Sequence, residues 1–499
     1  MKIACKWLWM FMLTVLLVLL TGYLMLSLYY ADGFSYGTWI NGIYCTGKSP
    51  EEANALLMEK TAYAGLNVTA ADGTVYQVSP SGINLKADYT QTLRTYMDQQ
   101  NPFAWGVNLF TGRQHTVLPQ VSYDSDLLDS EISGWELFDL QEDDRGVSVV
   151  HGKNGYELVD TTENVPVKSS ITEAVKNALM SMDTELDLKS ADGCYRNLEK
   201  TDQMRSVTKT FDKLQKLQKL DVTYLFGDEQ TEVAAAAVSD WIVTDAQKKQ
   251  AQAERVSRNK PGSGLFLAAG KEIRFPDDPG EENGFITDAD GNLLVSESAM
   301  YAYLEKICAP YDTVGKTRNF SSTSGRKVDV SGGTYGNEID LSDEFAYLKN
   351  AFIAQKKETH TPTFSKQARA AGSDDIGNTY IEIDMREQRL YYYENKRMII
   401  TMPVVTGNIK KRRGTPEGVY YIYSKARDRV LRGQGYASFV HYWMAVYKGV
   451  GIHDATWRDE FGGEIYETGG SHGCINGPEK QVRRLYQMVQ VGTPVVLFN

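Results

Sequence analysis

From Trp7 to Ala31 the chain carries no charged residue. A helix rises about 1.5 Å per residue and a bilayer's hydrocarbon core is about 30 Å thick, so about 20 apolar residues suffice to cross it. This stretch is long enough, and Leu16-Leu-Val-Leu-Leu20 gives it an apolar centre. Trp7, Trp9, Tyr29 and Tyr30 stand at its two ends, where amphipathic rings favour the membrane–water interface. Lys2 and Lys6 precede it. The positive-inside rule then predicts a cytoplasmic tail over 1–6, a single transmembrane anchor over 7–31 and an extracytoplasmic remainder. The competing reading is a cleaved signal peptide. Its apolar region normally runs only about 7–15 residues and ends in a small-x-small site. Here Tyr29 lies two positions before Ala31, which is a poor site.

The 499 residues leave room for several domains beyond the anchor. A net charge of −11 argues against nucleic acid as a partner, because phosphate binding needs a basic surface. Nothing in the sequence identifies a protein partner. Of five cysteines, Cys45, Cys194, Cys308 and Cys474 fall outside the membrane, widely spaced. That is neither a disulfide framework nor a zinc pattern, although a Cys194–Cys308 bridge stays open.

One pattern recurs between the anchor and residue 365. A glycine-led strand passes through a polar turn into an amphipathic helix. The copies start at Gly73, Gly155 and, more loosely, Gly325. Aligning Ile83 with Val165 superposes Leu85 on Val167, Tyr89 on Ile171 and Leu93 on Val175. Self-similarity of this kind points to a duplicated supersecondary unit. The copies resemble the peptidoglycan-binding repeats that precede wall-modifying catalytic domains in Gram-positive bacteria. On this reading 32–200 is an α+β repeat region. Residues 201–365 combine a helical stretch over 200–260, led by the helically spaced Met204, Val207, Phe211 and Leu214, with a further α+β repeat. The polar 366–377 reads as a linker. Beyond it, alternating stretches predict a mainly-β domain over 378–499, with strands at 418–423, 441–446, 450–453 and 494–498 and one helix at 478–489.

The chemistry lies in Val450-Gly-Ile-His-Asp and Ser471-His-Gly-Cys-Ile-Asn. A cysteine nucleophile needs a base beside it, donors where negative charge develops, and room for the substrate. Cys474 supplies the thiol and Gly473 opens the backbone. His453 and His472 both stand as candidate bases. His453, His472 and Cys474 also form the one metal-ligand alternative; no metal is expected. His115, His151, His360 and His441 read as structural. Lys410-Lys-Arg-Arg413 reads as a solvated basic loop, with contact to acidic stem peptides as the alternative.

The pattern of His, 14–17 residues, Ser-His-Gly-Cys, a hydrophobic residue and Asn resembles the signature of L,D-transpeptidases with a YkuD-type catalytic domain. Seventeen residues separate His453 from Ser471 here, and every motif position is filled. Thr415-Pro-Glu-Gly before a strand and Trp457 extend the resemblance. It implies a YkuD-like β-sandwich with a short helix. Cys474 is then the nucleophile and His453 the base, oriented by the backbone carbonyl of Asp454 rather than by its carboxylate. The N–H groups of Gly473 and Cys474 become oxyanion donors, with His472, Ser471 and Asn476 shaping the site. Trp457 and a lid aromatic, Tyr436, become substrate contacts.

The whole chain is therefore read as anchor helix, α+β repeat ectodomain and mainly-β catalytic domain. The activity implied is peptidoglycan L,D-transpeptidation, forming 3→3 cross-links between donor and acceptor stem peptides without a cofactor. Two alternatives stand beside it: an L,D-carboxypeptidase with water as acceptor, and a wall-binding protein with a vestigial catalytic domain.

Overall fold

The computed structural model describes residues 2–60, 62–254, 260–433 and 436–499, apart from the side chains of 2–4 and 436. It divides into two compact units: 1–148 with 159–205, and 149–158 with 206–499.

The first unit opens with helix α1 (Lys2–Tyr29), of which Cys5–Tyr29 is long and apolar enough to cross a membrane. Most of its side chains are exposed, but Ser27 and Tyr30 are buried at its end. The following chain grips that end. Gln100 Nε2 donates to the carbonyls of Tyr30 at 3.1 Å and Gly33 at 3.0 Å. A short helix, α2 (Trp105–Thr111), packs beside it. Two small cores follow, one around Phe34, Ile40, Leu57 and Leu93, the other around Leu66, Val78, Ile132, Val175 and Leu179.

The three similar segments each contain an antiparallel hairpin, a short strand and a helix. Their hairpins are Leu66–Val78, Val147–Asp160 and Arg318–Val330, and their helices Thr90–Asp98, Lys168–Met180 and Leu341–Ala354. The aligned Tyr89, Ile171 and Phe345 are all buried. The copies are not closed modules: most of the second hairpin belongs to the second unit and its helix to the first.

The stretch 200–260 is not helical throughout, contrary to the sequence reading. Helix Asp202–Leu217 is followed by a hairpin of Asp221–Phe226 with Glu229–Val233. Val222, Tyr224 and Phe226 alternate inward there, a period-two signal that the Lys- and Gln-rich helix before it obscures. Cys194 and Cys308 are both free, each buried in the core of its own unit, so they are not bridged.

Residues 378–499 form two packed sheets. The first is built from β1 (Tyr380–Asp384), β2 (Arg389–Glu394), β3 (Arg397–Pro403), β4 (Gly418–Tyr421) and β9 (Pro494–Phe498), in the order β3-β2-β1-β9-β4. The second is β5 (Ser424–Gly433), β6 (Tyr436–Tyr447), β7 (Val450–Asp454) and β8 (Ile475–Gly477), in sequence order. Helices α3 (Ile465–Gly469) and α4 (Glu479–Met488) complete the domain. Ile381, Ile383, Leu390, Tyr420, Val495 and Leu497 meet Tyr442, Met444, Ile452 and Ile475 in the core between the sheets, with Val482 and Leu485 of α4. Strand β9 is buried on both faces. Val495 and Leu497 enter that core, while Val496 and Phe498 pack on Phe320, Val330 and Tyr335.

The segment 366–377 is firmly held. Asp375 accepts from Arg318 Nε at 2.9 Å and Nη2 at 2.6 Å, and Tyr335 Oη donates to its carbonyl at 2.9 Å. The hairpin Arg318–Val330 also closes over β1. Arg326 Nη2 pairs with the fully buried Asp384 at 2.8 Å, and Thr323 donates to both oxygens of the buried Glu382.

Candidate active site

Strand alternation sends Ile452 and Ile475 into the core and turns His453 and Asn476 to the opposite face of the second sheet. Because β7 and β8 pair in parallel with His453 opposite Asn476, these two side chains stand side by side. Cys474, two residues before Asn476, joins Val440, Trp443 and Ala445 on that face. His453, Cys474, Asn476, Ser471, His472, Trp457, Arg458 and Gly470 line a cavity of about 250 Å³ together with Leu431 and Ser438. The last two sit opposite each other on β5 and β6, so this hairpin overhangs the site.

His453 is 3% exposed. Its Nδ1–H donates to the carbonyl of Asp454 at 2.7 Å. The Asp454 carboxylate faces elsewhere, accepting the N–H of His441 at 3.1 Å and of Tyr442 at 2.7 Å. A carbonyl can only accept, so Nδ1 carries the proton and Nε2 the lone pair. Arg458 can only donate, and its Nε–H meets Asn476 Oδ1 at 3.1 Å. That fixes the amide, so Asn476 Nδ2 donates to His453 Nε2 at 3.0 Å. Arg458 is itself held by the Gly469 carbonyl at 2.8 Å. The rings of Trp443 and Trp457 lie 5.8 and 6.0 Å from the imidazole.

Cys474 is 8% exposed, and its Sγ lies 3.6 Å from the carbonyl of Gly449. Burial pushes the thiol up, opposed by the N–H of Gly451, and burial pushes His453 down. Both shifts favour the uncharged forms of thiol and imidazole.

The loop before Cys474 is fixed by two hydroxyls. Ser471 Oγ donates to the Cys474 carbonyl at 2.6 Å and accepts the N–H of Gly473 at 3.0 Å. Thr415 Oγ1 donates to the Gly473 carbonyl at 2.8 Å and accepts from Gly407 N at 2.9 Å. Gly473 has φ +121°, where any other residue is strained. Gly451 is needed for a different reason: a Cβ there would come within 2.7 Å of the Trp443 ring.

Residues 378–497 match the YkuD family, the L,D-transpeptidase catalytic domain. These residues form an L,D-transpeptidase catalytic domain. The catalytic domain of the Enterococcus faecium L,D-transpeptidase, determined by NMR acylated by ertapenem, is 42% identical over 24% of this chain and 97% of that one, with a TM-score of 0.23. A Cys-to-Ser variant of the Enterococcus faecium L,D-transpeptidase is 27% identical over 58% of this chain and 100% of that one, with a TM-score of 0.45. L,D-transpeptidase 3 from Mycobacterium tuberculosis is 18% identical over 24% of this chain and 61% of that one, with a TM-score of 0.21. No curated protein matches the chain.

In this domain the sequence-predicted residues gather with some differences. His453, Asp454, Ser471, His472, Gly473, Cys474, Asn476 and Trp457 converge, whereas the Tyr436 side chain lies outside the described residues. The Gly473 N–H, expected to be an oxyanion donor, is engaged by Ser471 Oγ at 3.0 Å. His472 accepts from Arg413 Nη1, and burial with the neighbouring Arg413 and Lys411 pushes its pKa down. The basic loop 410–413, read as solvated, therefore reaches the rim of the site. Sequence reasoning passed over Arg458. It lies five residues after His453, next to Trp457, but a lone arginine on a loop carries no signal until its partner Asn476 is placed. His115, His151, His360 and His441 find partners elsewhere: Tyr96, Ser239, Glu344 and Asp428. Among the described residues no group of three or more His, Cys, Asp or Glu is placed to hold a metal ion.

Proposed function

We propose that this protein is a single-pass membrane L,D-transpeptidase that forms 3→3 cross-links in peptidoglycan through an acyl-enzyme on Cys474. The observation that carries the reading is the relay Arg458–Asn476–His453–Asp454 carbonyl, which leaves His453 a single basic nitrogen, Nε2, at a cavity that both His453 and Cys474 line. Donor binding draws the thiol from the Gly449 carbonyl, and Sγ–H passes its proton to His453 Nε2. That step requires the Asn476 amide to yield its place on the nitrogen. The thiolate adds to the carbonyl carbon of the third stem residue, and the oxygen takes up the electron pair beside the Cys474 N–H. Collapse breaks the peptide bond, and His453 returns the proton to the departing amine of the terminal D-alanine. The side-chain amine of an acceptor's third residue then attacks the thioester; the C–S bond breaks, and His453 carries the amine's proton to the departing sulfur, which restores the Cys474 thiol.

The buried end of α1 supports retention of the helix as an anchor, because Ser27, Tyr30 and Gln100 build it into the following domain. The catalytic domain then faces the cell wall. The test is product analysis with the full-length protein in detergent and a disaccharide-tetrapeptide as donor and acceptor. A 3→3 dimer is the expected product. Tripeptide alone means that water is the acceptor, and no turnover by the intact protein means that the domain is vestigial.

A further inference from the structure

Between Asp98 and Arg113 the chain carries no charge. A short turn at Pro102–Ala104 leads there into α2. This segment is inverted relative to a helix on a soluble surface. The polar Asn108 is 3% exposed and backs onto Gly37, whereas Val107 is 64% and Phe110 is 89% exposed. Phe103 and Leu109 are exposed as well. An apolar face turned outward with its amide turned inward fits a nonaqueous neighbour.

The neighbour is indicated by what the segment touches. Tyr23 Oη of α1 donates to the Phe103 carbonyl at 2.5 Å. Trp105 Nε1 donates to Ser27 Oγ at 3.1 Å, and its ring lies 4.9 Å from that of Tyr23. Tyr23 lies six residues before the end of α1, about 9 Å along the axis. Interfacial helices sink their apolar faces about 5–10 Å below the headgroups. If Tyr29 marks the interface, Phe103 is held at that depth.

We infer that residues 102–111 form a second membrane-contacting element, with Phe103, Val107 and Phe110 inserted among the lipids of the outer leaflet beside α1. The inference rests on the reading of α1 as a retained anchor. It gives the first ectodomain unit two lipid contacts, which fixes its tilt to the membrane where a single helix leaves it free to rotate.

The test is site-directed spin labelling of full-length protein in vesicles of phosphatidylglycerol and phosphatidylcholine. The background is C5A/C474A, since Cys45, Cys194 and Cys308 are buried while Cys474 lines the active-site cavity. Labels go at Val107→Cys and Phe110→Cys, with Val15→Cys as the anchor control and Asp126→Cys as the water control. The expected result is an oxygen-to-nickel accessibility ratio at 107 and 110 several-fold above that at 126. Ratios equal to that at 126, with Val15 reading as lipid-buried, overturn the inference and leave the anchor standing. Low accessibility to both reagents at 107 and 110 also overturns it, in favour of a protein contact. A water-like Val15 removes the anchor and the inference together.

Discussion

His453 and His472 both stand near the thiol, but their surroundings differ. His453 is buried with one nitrogen fixed as donor, whereas His472 sits at the rim with Nε2 accepting from Arg413. The H453A protein should therefore lose acylation by about 10²–10⁴-fold, the usual cost of losing a general base, and H472A should lose much less. Stopped-flow acylation by a carbapenem measures both. Arg458 acts through Asn476. Its loss in R458Q removes a charged hydrogen bond, commonly about 1.5–3 kcal/mol, which sets the expected fall in acylation at about 10- to 100-fold. A structural defect alone would lower Tm and leave the pH profile in place; loss of positioning shifts the acid limb as well. The sign of that limb follows from burial, which holds His453 below its ordinary value of about 6.5. Acylation should stay flat through neutral pH and decline only below about 6.5, as the base becomes protonated. Stability follows the same direction. The unfolded chain takes up the proton first, so folded stability falls as pH drops below about 6.5 and is unaffected above it.

Elements differ in how plainly the sequence announces them. Strands β1, β4, β7 and β9 are legible as short, mostly apolar runs that are almost wholly buried, and helix α4 from the one face that enters the same core. The Cys474 loop is legible from its motif. Strand β5, Ser-Lys-Ala-Arg-Asp-Arg-Val-Leu-Arg-Gly, went unread because it has no fully buried residue to set a period. It is held by pairing with β6 along almost its full length. The segment 366–377 reads as a linker for a related reason. Its anchors are polar, and Arg318, Tyr335 and Asn337 lie far away in sequence. The hairpin Arg318–Val330 supplies the prediction at this scale. Replacing Arg326 by Ala leaves the Asp384 carboxylate buried without its cation. A broken buried pair costs about 3–5 kcal/mol, and the partial exposure of Arg326 lowers the expectation to about 2–4 kcal/mol. Denaturant unfolding of R326A checks it. The double variant R326M/D384L should recover much of the loss, because it removes the stranded charge.

At the scale of the molecule, the catalytic domain borrows stability from the chain before it. Val496 and Phe498 pack on Phe320, Val330 and Tyr335, and Asp375 is held by Arg318. A fragment 372–499 should unfold cooperatively but melt below a fragment 206–499; equal Tm values would show that the hairpin Arg318–Val330 adds nothing. The central claim is that acyl transfer runs through Cys474 with His453 as its base. Intact-mass spectrometry of the full-length protein, mixed with a tetrapeptide donor and quenched early, tests it most directly. The predicted result is one tripeptide acyl group, mapped to Cys474, absent from C474A and nearly absent from H453A. An acyl group on Cys45, Cys194 or Cys308, or one that persists in C474A, would contradict it.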